Sequence, residues 1–86
     1  IRRNRMVDIR FNDKVEAGVS ILRSCPELRD IDVEGNRVIV ELEADDDRLA
    51  QIMQQLIDEK IPMRSFNDKD PTLEDVFMMV TKGLVT

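Results

Sequence analysis

Residues 30–43, Asp30-Ile31-Asp32-Val33-Glu34-Gly35-Asn36-Arg37-Val38-Ile39-Val40-Glu41-Leu42-Glu43, are the stretch on which the fold of this chain turns. Two short runs alternate apolar and polar side chains on either side of a Glu-Gly-Asn turn. Alternation with a period of two, interrupted by a glycine that tolerates positive φ, predicts a β-hairpin. Val38, Val40 and Leu42 fall in phase, so the second strand turns one apolar face inward. The hairpin sits near the middle of the chain, so the flanking segments determine the architecture.

Before it, MVDIRF (residues 6–11) alternates with Val7, Ile9 and Phe11 on one side and Asp8 and Arg10 on the other, the pattern of a half-buried strand. Asn12-Asp13 offers a helix cap, and Val15, Gly18, Val19 and Leu22 then recur at helical spacing until Cys25-Pro26 ends the run. After the hairpin, Ala44-Asp45-Asp46-Asp47 brings acids to the start of a second helix. Its stripe of Leu49, Ile52, Met53, Leu56 and Ile57 is spaced i, i+3, i+4, i+7 and i+8. Ile61-Pro62-Met63-Arg64-Ser65-Phe66 reads as a fourth strand, with Pro62 confining it to an edge or a strand start. Residues 67–70 read as a polar loop.

The order is strand, helix, hairpin, helix, strand: two β-α-β units whose helices cover one face of a single sheet. That is an α+β, ferredoxin-like βαββαβ sandwich. MVDIRF and RVIVELE belong in its centre, with the acidic DIDVE and the Pro62 strand at the edges, where charge and proline suit an open ladder. Eighty-six residues hold one such domain. Residues 1–5, with Arg2, Arg3 and Arg5, read as a solvated linker end, and residues 6–86 as the domain.

An additional C-terminal helix follows, in DPTLEDVFMMVTKG (residues 70–83). Thr72 and Asp75 match a capping box, and Pro71 just ahead can pack on Val76. Leu73, Val76, Phe77, Val80 and Leu84 lie along one face. On the opposite face Met78 falls between Glu74 and Asp75, with Met79 at the flank. Adaptable apolar side chains beside two acids, turned away from a core, make Glu74, Asp75, Met78 and Met79 the candidate partner contacts.

Composition bounds the chemistry. A net charge of −5 with no Tyr or Trp argues against a nucleic-acid surface. Cys25, the single cysteine, has no intramolecular disulfide partner, which favours a reducing compartment. The absence of histidine removes Cys-His and Ser-His-Asp chemistry. Gly18, Gly35 and Gly83 stand too far apart for a phosphate loop, and Asp45-Asp46-Asp47 lacks the alternate spacing of a calcium loop, which leaves helix capping. Adjacent Glu74 and Asp75 diverge on a helix and cannot act jointly on a proton. No catalytic, cofactor or metal site is expected, so this domain alone is not an enzyme. No run approaches the roughly 20 apolar residues of a membrane span. The first residue, Ile1, is not Met, which suggests a piece of a longer protein.

Pro71-Thr72-Leu73-Glu74-Asp75-Val76-Phe77, followed by two apolar residues and Thr81-Lys82-Gly83, resembles the closing motif of many ABC transporter ATP-binding subunits of the drug, antibiotic and sodium export type. There it is written P-[ST]-L-E-[DE]-x-F-hydrophobic-x-hydrophobic-T-x-x and ends a C-terminal domain of about this length. Met78 and Met79 stand where Leu is more usual. The resemblance implies a parent subunit that binds ATP and Mg in a separate N-terminal core and drives transport through a membrane permease. It places the domain in the cytoplasm, peripheral to the inner face of the membrane. The partners it implies are the core of the same chain, a second ATPase subunit in a possible homodimer, and the permease. A second expectation, from the βαββαβ order alone, is a small-molecule-sensing module similar to ACT domains.

Overall fold

The computed structural model describes residues 3–69, which form β1 (Arg3–Phe11), α1 (Val15–Arg23), β2 (Leu28–Glu34), β3 (Arg37–Ala44), α2 (Asp46–Asp58) and β4 (Met63–Lys69). The chain is α+β, with one antiparallel sheet in the order β2-β3-β1-β4 and the helices packed on one face, a ferredoxin-like sandwich. The expected centre, MVDIRF beside RVIVELE, is the observed centre. The helix expected after β4 lies outside the described residues, and with it Pro71, Thr72, Leu73, Val76, Phe77 and Val80.

The hairpin forms as its alternation demands. Val33 pairs with Val38, Ile31 with Val40 and Leu28 with Leu42. Gly35 has φ of +60°, the left-handed value that the first turn position needs. Along β3 burial alternates strictly, with Val38, Val40, Leu42 and Ala44 turned into the core. β1 contributes Val7, Ile9 and Phe11 to the same layer; α1 adds Leu22, and α2 adds Leu49, Ile52 and Leu56. Gly18 of α1 lies over Phe11, where a Cβ would come 2.6 Å from the ring Cζ. Glycine is therefore what lets this helix approach the sheet.

Details of the ends differ from expectation. β1 begins at Arg3 rather than Met6, because Arg3, Asn4 and Arg5 continue the ladder opposite Ala44, Glu43 and Leu42. The cap expected from Asn12-Asp13 is not made: the N-cap of α1 is Lys14, in the left-handed region at φ 59°, with no side-chain cap. Asp13 Oδ1 instead accepts a hydrogen bond from the Lys14 amide at 2.8 Å. The cap on α2 is made as expected, Asp45 Oδ1 accepting from the Arg48 amide at 2.8 Å. Ile57, expected as the last member of the α2 stripe, is 51% exposed, since it stands to the side of the line of Leu49, Ile52 and Leu56 that the helix buries.

α2 stops through paired backbone bonds. The Lys60 amide donates to the Ile57 carbonyl at 2.9 Å and the Ile61 amide to the Leu56 carbonyl at 3.2 Å. Lys60 takes φ 59° to do so. This is the Schellman arrangement, and Ile61 and Leu56 both belong to the buried core.

Candidate interaction surfaces

The sequence-predicted contacts Glu74, Asp75, Met78 and Met79 fall outside the described residues, so the surfaces below are built from β1, β3, α2 and β4.

At the start of β1, Arg5 has the same phase as Val7 and Ile9 and so projects toward the helix layer. Its side chain is 6% exposed. Nη2 reaches Asp46 Oδ1 at 2.6 Å and Asp68 Oδ2 at 2.7 Å, joining the first turn of α2 to β4. Nε and Nη1 are buried with no hydrogen-bond partner among the described residues. Desolvation opposes the Arg5 charge, but the hydrogen bonds and fields of Asp46 and Asp68 outweigh it and hold the guanidinium above its ordinary pKa. This side chain is a fixed cationic rivet beneath two acids rather than a solvated lead-in. The signal was present in the sequence as an arginine at an inward position, two residues before Val7.

Beside that rivet, a shallow groove of about 290 Å³ runs between α2 and β4, lined by Leu49, Ala50, Met53 and Phe66 with Asp46 and Asp68 on its rim. At the other end of the sheet, Arg10 and Arg37 stand directly opposite each other on adjacent strands. Like charges so placed repel, and Asp8 relieves this by accepting from Arg37 Nη2 at 2.8 Å and Nε at 3.2 Å. With Arg64, these arginines border an open hollow of about 230 Å³ also lined by Phe11, Glu34 and Asn36.

The sheet face away from the helices carries Met6, Asp8 and Arg10 from β1, Ile39 and Glu41 from β3, and Ser65 and Asn67 from β4, by the register of the ladders. The sequence places Asp8 and Arg10 on this outward face, as observed. It does not show that Met6 and Asp8 would be only 3% and 7% exposed there.

Cys25 is buried, and its thiol donates to the Ile21 carbonyl at 3.4 Å. Desolvation raises the thiol pKa; Arg48 opposes this and Glu27 adds to it. A raised, covered thiol is an inert apolar filler rather than an activated nucleophile. Arg48 itself is held above its ordinary pKa, first by its hydrogen bond to Glu27, with Nε 3.0 Å from Glu27 Oε2. What these surfaces offer is binding: an apolar groove with an acidic rim and a basic hollow. Among the described residues no helix is long and apolar enough to cross a membrane.

A protein-family model described as ATP-binding protein DrrA1-3-like, C-terminal domain, matches residues 2–81. The match takes in every described element and extends through the PTLEDVF run. No curated protein and no solved structure matches the chain.

Proposed function

The chain belongs to the family of C-terminal domains of DrrA1-3-like ATP-binding proteins, and from that premise we propose that it is a non-catalytic accessory domain of an ABC-type ATPase subunit. In this reading it makes protein contacts that hold two such subunits together or seat them on a membrane permease. ATP and Mg belong to the nucleotide-binding core of the parent subunit, and the domain works at the cytoplasmic face of the membrane. The family match carries the reading.

The surfaces support a contact role. The groove of Leu49, Ala50, Met53 and Phe66 pairs apolar area with an acidic rim, the mixture found where one protein surface seats another. Arg5 pins both sides of that groove through Asp46 and Asp68, so the surface is held in shape before any partner arrives. Glu74, Asp75, Met78 and Met79 add contact candidates from the closing motif.

The decisive experiment deletes this domain from the parent subunit and measures dimerisation and recovery of the permease complex. Loss of either supports the proposal, and unchanged values for both overturn it. Glu74→Ala, Asp75→Ala and Met78→Ala in the parent should weaken the same contacts while leaving the domain's thermal unfolding in place.

A further inference from the structure

The hollow at the hairpin-turn end of the sheet gathers positive charge that the domain leaves unpaired. Arg5, Arg29, Arg37 and Arg48 each form an ion pair with an acid. The side chains of Arg10 and Arg64 form neither an ion pair nor a hydrogen bond among the described residues, although the chain has 18 acids to 13 bases. Both are exposed, and both line the same hollow of about 230 Å³ together with Arg37. Like charges brought together on neighbouring strands destabilise the fold, so the gathering calls for a reason other than stability.

The backbone brings these side chains together. Arg10 of β1 stands opposite Arg37 of β3 on one side and Ser65 of β4 on the other. The next pair is Phe11 with Met63, so Arg64 has nothing opposite it, and β4 carries one extra residue here, the count of a β-bulge. In an unbroken ladder Arg64 would alternate with Ser65 and turn toward the helix layer. The bulge re-aims it, and its exposed side chain borders the hollow instead. Two backbone bonds fix the surroundings. The Phe11 amide donates to the Asn36 carbonyl at 2.8 Å and the Asn12 amide to the Pro62 carbonyl at 2.9 Å, tying the hairpin turn and the approach to β4 to the end of β1. Arg37 is oriented by Asp8, whose Oδ2 accepts from Nη2 at 2.8 Å.

We propose that this hollow binds a single phosphate group, carried on a small, soluble ester that also bears a hydroxyl. A guanidinium presents paired N–H donors that match two oxygens of a phosphate, and three such forks from three strands exceed what one carboxylate can accept. The charge matches as well. Three arginines, less Glu34 on the rim and the Asp8 that Arg37 engages, leave a surplus of one positive charge. That surplus suits one phosphate, at about −1.5 to −2 near neutral pH, and not a run of them. Glu34 and Asn36 supply acceptors for a hydroxyl beside the phosphate. The net charge of −5 on the whole chain disfavours a broad anionic partner such as a membrane surface or an acidic protein face. The hollow shares no lining residue with the groove between α2 and β4, and the inference does not depend on the transporter reading.

The test is a titration of the 86-residue chain, followed through the arginine Nε–Hε resonances at low salt. Glycerol phosphate is expected to shift the Arg10, Arg37 and Arg64 signals saturably, while Arg29 and Arg48, engaged by Glu43 and Glu27, stay in place. Inorganic phosphate should act on the same three more weakly. Absence of a saturable shift would overturn the proposal, as would equal shifts at Arg29 and Arg48 or with sodium chloride of the same ionic strength. Equal affinity for the two phosphates would overturn the assignment of a hydroxyl. Arg10→Gln and Arg64→Gln should each weaken glycerol phosphate about tenfold and leave the thermal unfolding transition in place, because both side chains are exposed. Retained affinity in the double variant counts against the site, and should a variant fail to fold, the titration of the native sequence still decides. Two further probes separate the rivals: vesicles of phosphatidylcholine with phosphatidylglycerol, and a polyglutamate peptide. A response to either one with none to the soluble phosphates would make the hollow a membrane or acidic-protein contact and overturn the proposal.

Discussion

Gly18 shows how one hydrogen atom sets the distance between α1 and the sheet. Replacing it with Ala would gain about 1 kcal/mol of helix propensity, but the new Cβ would lie 2.6 Å from Phe11 Cζ, on a ring that is itself buried and would have to shift. Overpacking of this kind costs about 1–3 kcal/mol. Gly18→Ala is therefore expected to lower stability by up to about 2 kcal/mol in urea unfolding, and Gly18→Ala with Phe11→Leu to lose less than the sum of the single changes. Cys25 makes a pH prediction. Its thiol is raised in the fold by desolvation, so the unfolded chain gives up this proton first as pH climbs. The contribution is fully present below the unfolded value of about 8.5 and is lost as pH rises through the folded one. The stability advantage of the native chain over Cys25→Ala should narrow above about pH 8.5, and iodoacetamide should label the folded protein far more slowly than the unfolded one.

At the scale of elements, the ends rather than the spans hold the local strain. Lys60 closes α2 at φ 59°, a conformation that costs a residue with a Cβ about 1–2 kcal/mol. Lys60→Gly removes that cost and adds about 0.5–1 kcal/mol of chain entropy on folding, leaving a net gain of about 0.5–1 kcal/mol. A rise in Tm of a few degrees is the expected readout, with the Schellman bonds retained. These ends were also the least legible part of the sequence. The spans follow from periodicity, since Val38, Val40 and Leu42 or Leu49, Ile52 and Leu56 each need one face buried. The caps do not follow, because Asn12-Asp13 and Lys14 compete for one helix start and the backbone, not the side-chain menu, decides between them. Likewise Arg5 is legible by phase alone; what its charge meets, Asp46 and Asp68, comes from two elements distant in the chain and could not be read from spacing.

For the whole molecule, strand order governs where stability resides. Among the described residues β1 and β3 are flanked on both sides, while β2 and β4 each pair with one strand. Amide hydrogen exchange should be slowest at Val7, Ile9, Val38 and Val40, close to the global unfolding limit, and faster along β2, whose outer residues include the exposed Val33. Uniform protection across all four strands would contradict this. That order was readable from the sequence because Pro62 and the acids of DIDVE mark edges, whereas the low exposure of Met6 and Asp8 was not, since alternation alone places both on the outward face. The central position of β1 also has a mechanical side. A pull delivered through Arg3 along β1 loads the ladders to β3 and β4 together, in shear, whereas a pull on an edge strand would unzip one ladder bond by bond. A load applied through Arg3 is therefore shared by both ladders of the central strand before either yields.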